Sequence, residues 1–222
     1  MPRENGSSNT RMSDTTRKPD VLVIDYGVGN HRSVTNALER LGYSYAVSHK
    51  KEDIQKARAY ILPGVGAFEE AMLNLKKRDI IEVLRREVVE KKKPLLGICL
   101  GMQVLAEDSI EGGLHQGLGF IPGHVVRIPA ASVRVPHVGW NELMVYRSEP
   151  LFASVPKGAR FYFDHSFYFQ TEKEYIAAAC SYGEEITAAV QKDNIYGVQF
   201  HPEKSQTSGL RLLRAFMEHT KN

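Results

Sequence analysis

Four short apolar runs punctuate the first half of the chain: VLVI from Val21, SYAVS from Ser44, AYIL from Ala59 and PLLGI from Pro94. Turns and helical patterns lie between them. HRSVTNALERLG puts Val34, Ala37, Leu38 and Leu41 on one helical face and closes on Gly42, a residue suited to a left-handed C-cap. The amphipathic stretch from about Glu69 to Lys92 predicts one long helical region, and LGMQVLAED, from Leu100, predicts another. Strands alternating with helices restrict the chain to an α/β fold: an open, mixed, mostly parallel sheet with helices on both faces.

After about Gly112 the texture changes. GFIPGHVVRIP, VPHVGWNELMVY, ARFYFDHSFYFQ, YIAAACSYG, ITAAVQKD and IYGVQFHPE are short strand-like segments bounded by Gly, Pro or Asp. They predict an antiparallel continuation of the same sheet, closed by the helix TSGLRLLRAFMEHT. Residues 20–222 read as one domain without internal repeats, and the polar residues 1–19 as a disordered tail.

Composition removes several classes of function. Among 222 residues the net charge is only +3, and the one basic run, Lys91-Lys92-Lys93, reads as a solvated helix end rather than a nucleic-acid patch. Two cysteines, Cys99 and Cys180, make no disulfide framework, and no CxxC or Cys/His cluster suggests a metal. No apolar run has the length of a membrane span, and the polar N-terminus has no apolar signal core, so the expected location is the cytoplasm.

The chemistry centres on PLLGI-C-LGMQ: a buried strand, a Gly-x-Cys-x-Gly turn, then a helix. That is the geometry of a nucleophile elbow with Cys in place of Ser. Glycines suit the strained turn and the close strand–helix contact. A helix N-terminus favours a thiolate, and the backbone N–H of Leu100 points where an oxyanion forms. A lone cysteine in an apolar run is otherwise a structural residue; the flanking glycines favour the elbow.

A nucleophilic cysteine needs a base and a group that orients the base. GVQFHPEKS supplies both, because a strand ends at His201 and Glu203 follows at the same-side spacing of an extended segment. Pro202 stiffens the pair. Alone the motif also suits a surface turn; beside the elbow it completes a triad. LPGVGAF, from Leu62, ends a strand with two glycines whose backbone offers a second oxyanion donor at Val65 or Gly66. GVGAFE and GVGNHR both lack the third glycine of a dinucleotide-binding loop.

Together these residues resemble the class I glutamine amidotransferases, from about Val21 to the C-terminus. The resemblance implies a flavodoxin-like sheet order and glutamine hydrolysis by Cys99 as nucleophile, His201 as base and Glu203 as orienter. It implies an oxyanion hole from Leu100, Val65 and Gly66, and glutamine contacts at Gly64, Gln103, Glu111, Ser166 and Phe167, with Glu111 on the substrate α-amino group. No metal or organic cofactor is implied. IDYGVGNHRSV, ILPGVGAFEEAM, GLGFIPGHVVRIP, VPHVGWNEL and HPEKSQ are similar, more narrowly, to the HisH-type glutaminase subunits of imidazole glycerol phosphate synthase.

That narrower resemblance implies a separate (β/α)8-barrel cyclase partner of the HisF type in a 1:1 heterodimer, with ammonia passing through the barrel. It places Asn30, His137, Trp140, Asn141 and Lys204 on the docking face, although Trp140 also suits a core anchor. Asp164 and Phe167, in FYFDHSFYF, stand where that family usually has Val and Tyr. A related acceptor is therefore the alternative: a barrel synthase that amidinates a surface-polysaccharide precursor. The remaining rivals are a protease-type cysteine hydrolase, which does not need the HPE segment, and a non-catalytic subunit, which the intact triad argues against.

Overall fold

The computed structural model describes residues 19–130 and 133–221; the tail expected over residues 1–19 lies almost entirely outside the described residues. The first half contains β1 (Val21–Ile24), α1 (His31–Leu41), β2 (Tyr45–Ser48), α2 (Lys51–Lys56), β3 (Tyr60–Gly64), α3 (Phe68–Lys77), α4 (Ile81–Arg85), β4 (Leu95–Cys99) and α5 (Leu100–Gln103). Four short strands follow: β5 (Asp108–Ser109), β6 (His115–Gln116), β7 (His124–Arg127) and β8 (His137–Glu142). Then come β9 (Met144–Val145), β10 (Arg160–His165), β11 (Phe167–Gln170), β12 (Ile176–Tyr182), β13 (Glu184–Lys192), β14 (Ile195–Val198) and α6 (Gln206–His219).

The main sheet runs β2-β1-β3-β4-β14-β13-β12-β9. Its first five strands are parallel, in the flavodoxin-like order, and the last three are antiparallel. Strand periodicity builds the two faces. Val21, Val23, Ile61, Leu96 and Ile98 join one apolar cluster with α1 and α6, while Leu22, Ile24, Tyr60, Leu62 and Leu95 join the other with α2, α3 and α4. Gly42 caps α1 in the left-handed region at φ 79°, as its position predicts.

Four expectations are corrected. The helical region from Glu69 to Lys92 is broken: α3 stops, Asp79 turns at φ 53°, and α4 continues into a π-helical turn, Arg86–Glu90. Buried Ile80, Val83, Leu84 and Val88 carry the apolar pattern straight across the break, so spacing alone does not reveal it. The extra residue of the π turn brings Glu87 inside, where Lys91 and Lys93 reach its carboxylate at 2.8 and 2.7 Å. The lysine run is therefore more than a solvated helix end, because two of its cations neutralise a buried carboxylate whose isolation would be costly.

The helix after Cys99 is a single turn. Instead of continuing the helix, the carbonyls of Val104, Leu105 and Ala106 accept hydrogen bonds from Leu118, Phe120 and Gly119. Finally, of the strands after Gly112 only β13, β12 and β9 extend the main sheet antiparallel, while β14, within IYGVQF, joins it parallel to β4. β8 pairs with β10 in a two-stranded ribbon, and β11-β7-β5-β6 form a separate sheet. In β10, Phe161, Phe163 and His165 point inward while Arg160 and Asp164 are exposed, the alternation of a ribbon with one covered face. Among the described residues no helix is long and apolar enough to cross a membrane.

Candidate active site

β4 delivers Cys99 to the carboxyl edge of the sheet and turns there at φ 54°, ψ −112°. A non-glycine residue in that region stores on the order of 1–3 kcal/mol of backbone strain. Three glycines make the turn possible. A Cβ on Gly97 would stand 2.5 Å from the Gly101 carbonyl oxygen, and one on Gly101 only 1.7 Å from the Leu62 carbonyl oxygen. A Cβ on Gly64 would meet the Tyr26 hydroxyl at 2.4 Å. The elbow read from the sequence is thus a packing requirement. With α5 only four residues long, however, the single turn contributes little of the helix dipole expected to favour the thiolate.

The neighbouring strands bring the other groups to the sulfur. On one side Gly64 of β3 is in register with Cys99, so Val65 and Gly66 follow directly beside it. On the other side Val198 of β14 is in register with Ile98, and the chain continues through Gln199 to His201. His201 Nδ1 lies 2.8 Å from Glu203 Oε1, with both side chains almost fully buried. Their common orientation comes from a 3-10 turn, Pro202–Lys204, rather than the extended alternation expected from the spacing. The His201 N–H donates to Tyr162 O at 2.8 Å, and Ser205 Oγ donates to His201 O at 2.6 Å, fixing the turn.

Burial disfavours a charged His201, but hydrogen bonds with Cys99 and Glu203 outweigh it and push the imidazole up to about 10. Across neutral pH the imidazole is therefore held as an imidazolium beside Cys99 and Glu203. Cys180 contrasts with Cys99. It lies in β12 with no exposure, and burial pushes its thiol up to about 12. A glutamine-like diazo-ketone should therefore label Cys99 and spare Cys180, as read by peptide mass spectrometry; preferential label on Cys180 would contradict the assignment.

A cavity of about 320 Å³ opens over the sulfur. Val65, Gly66, Leu100, Gln103, Glu111, Asp164, Ser166, Phe167 and Lys204 are among the residues that line it. Gly64 lies beneath, in the elbow contact. Glu111 Oε2 accepts the Phe68 N–H at 2.8 Å, which fixes the carboxylate at the start of α3. Gln103 is 6 % exposed and donates to Phe167 O and to Gln199 Oε1, both at 3.0 Å. Asp164 and Phe167, the two positions where the resemblance expects Val and Tyr, both line the cavity. Among the described residues no group of three or more His, Cys, Asp or Glu side chains is placed to hold a metal ion.

The expected docking residues divide. Trp140 is 43 % exposed, which excludes the core-anchor reading, and it packs edge-on with Tyr162, their ring centroids 6.1 Å apart. Lys204 is exposed with its ammonium over the same tyrosine ring, and Asn141 is half-buried. Asn30 is exposed but also caps α1, accepting the Ser33 N–H. His137 is a correction: it is 3 % exposed, stacked between Phe163 and Tyr182 at 4.7 and 3.9 Å, because strand parity turns it inward. Sequence reasoning missed Gln199. Its only signal was a polar residue between Val198 and Phe200 in an otherwise apolar strand end.

Comparison with known proteins agrees with this geometry. The family model described as glutamine amidotransferase class-I matches residues 22–220. The chain is 46 % identical over 197 residues to imidazole glycerol phosphate synthase subunit HisH 1 of Campylobacter jejuni, covering 88 % of this chain and 98 % of that one. It is 47 % identical over 205 residues to subunit HisH of Geobacter sulfurreducens, covering 89 % and 98 %. A solved structure described as a glutamine amidotransferase superposes with a TM-score of 0.71 at 25 % identity, covering 90 % of this chain and 99 % of that one. The chain therefore belongs to the class I glutamine amidotransferases, a family of enzymes, and within them to the group of HisH subunits.

Proposed function

We propose that the chain hydrolyses L-glutamine to glutamate and ammonia in the cytoplasm and passes the ammonia to a (β/α)8-barrel cyclase, forming the glutaminase half of an imidazole glycerol phosphate synthase. The observation that carries this reading is the convergence of a strained Cys99 elbow with the buried His201–Glu203 pair at one cavity. The relatives' names favour the histidine-pathway acceptor, from which the barrel makes imidazole glycerol phosphate and AICAR, over a polysaccharide precursor.

The Cys99 thiolate attacks the glutamine side-chain amide carbon, and the carbonyl electrons move to oxygen. Leu100 N–H and the Val65–Gly66 loop hold that oxyanion. His201 gives its proton to the departing nitrogen, ammonia leaves, and a γ-glutamyl thioester remains on Cys99. His201 then takes a proton from water, which attacks the thioester and releases glutamate. Gln103, Glu111, Ser166 and Phe167 hold the substrate, with Glu111 near its α-amino group. Loss of one oxyanion donor typically costs about 3 kcal/mol of barrier. A loop conformation that withdraws Val65 would therefore hold basal activity low until the loaded partner docks.

Docking would cover the cavity mouth beside Asn30, Trp140, Asn141 and Lys204. Ammonia must leave by a route that excludes bulk water, and a lid there supplies one. The test measures glutamate release and acceptor amination in one reaction containing the chain, the barrel and the histidine-pathway intermediate. In the wild type the two rates should match, and glutamate release should fall when the barrel is omitted. In Lys204→Ala, glutamate release should exceed amination, or affinity for the barrel should drop, because a desolvated carboxylate on the lid loses its cation. Matched rates and unchanged affinity in that variant would remove Lys204 from the docking role. Failure of this acceptor alone, with glutaminase activity intact, would favour the polysaccharide alternative.

A further inference from the structure

Gln199 is fully buried, and its Nε2 donates to Cys99 Sγ at 3.7 Å. The orientation of that amide follows from the network around it. Phe167 O is a backbone carbonyl and can only accept, so the Gln103 atom 3.0 Å away is its nitrogen. The same nitrogen lies 3.0 Å from Gln199, which must accept there through Oε1 and so turns its own nitrogen to the sulfur. Phe167 O is held in turn by His165 Nδ1 at 2.8 Å, and His165 Nε2 accepts from His137 Nδ1 at 3.0 Å. Both imidazoles are buried and desolvation favours their neutral forms, which agrees with this single direction of donation. Asn141, on the expected docking strand, begins the chain with Nδ2 3.4 Å from His137 Nε2.

We infer that Gln199 is a positioning residue for the nucleophile: its amide donor, aimed by Gln103 and the Phe167 carbonyl, stabilises and directs the Cys99 thiolate. This rests on Cys99 being the nucleophile and deepens that reading. A thiolate needs donors, and His201 approaches it from only one direction. The other titratable groups around the sulfur are Tyr26 beneath the elbow and Glu111, Asp164, His165 and Lys204 on the cavity wall. Gln199 is thus an uncharged donor that stays in place across the working pH range.

The experiment follows Cys99 alkylation by iodoacetamide and glutamine turnover against pH, below the melting temperature of each protein. In Gln199→Met the donor is lost; alkylation at neutral pH should slow about ten-fold and its profile should move to higher pH, with kcat falling more than KM changes. In Gln199→Glu the carboxylate still accepts from Gln103 but faces the thiolate with an anion, so the slowing should exceed that of Gln199→Met. A merely structural role predicts the reverse order, because Gln199→Glu preserves the shape and the Gln103 bond. Alkylation and turnover within two-fold of wild type in Gln199→Glu would overturn the inference, even if Gln199→Met fails to fold. Activity surviving in Cys99→Ala would instead overturn the underlying reading of Cys99.

Discussion

Replacing Cys99 with Ala or Ser should abolish glutamine hydrolysis while leaving the fold and partner binding intact. The Cys99 sulfur lines the cavity, and His201 is hydrogen-bonded to it. Removing a nucleophile or its base from a comparable triad costs at least about 10⁴-fold in rate. His201→Ala should approach the same loss. Glu203→Gln should be milder than either, because Glu203 orients the imidazole without itself moving a proton. Glutamate release measured with and without the barrel, together with melting curves, checks all three. A Cys99→Ala protein that still releases glutamate at a comparable rate would remove the triad.

The largest expected stability effect is at Gly101. An alanine Cβ there would stand 1.7 Å from the Leu62 carbonyl oxygen, an overlap that only a shift of β3 or α5 could relieve. Both elements are buried, and β3 is hydrogen-bonded on both edges, so relief is expensive. A loss on the order of 4 kcal/mol or more is expected, which lowers the melting temperature of a chain this size by about 8–16 °C. Gly42→Ala is the control. Gly42 also has a positive φ, 79°, but a Cβ there would find nothing within 4 Å. Its cost is the left-handed backbone alone, about 1 kcal/mol. Equal melting temperatures for the two variants would show that the elbow is not close-packed as described.

The contrast between legible and illegible features follows from the range of the forces involved. The elbow was legible because Gly97 and Gly101 flank the cysteine in sequence; the His201–Glu203 pairing was legible from its spacing, but the 3-10 turn that achieves it was not. The parallel strands β1 to β4 were legible because β1, β3 and β4 are apolar on both faces and the connections from β1 through β4 are helical; β14 was not, because it returns beside β4 only after nine intervening strands. The early end of α5 was not, since it depends on Gly117–Ile121 capturing carbonyls from a distance in sequence. The break between α3 and α4 was hidden by apolar residues spaced as though the helix continued. His137 was misplaced because parity along β8 depends on its register with β10, where it opposes His165. Gln199 was missed because its role lies in partners brought from α5 and β11.

The central claim is that glutamine is hydrolysed through a covalent intermediate on Cys99, and rapid acid quenching of the protein during turnover tests it most directly. Peptide mass spectrometry of the quenched sample should show a γ-glutamyl group on the peptide carrying Cys99, formed and lost at rates that match glutamate release. Glutamate release with no such adduct at any quench time, or an adduct on Cys180 that turns over at the catalytic rate, would contradict the account.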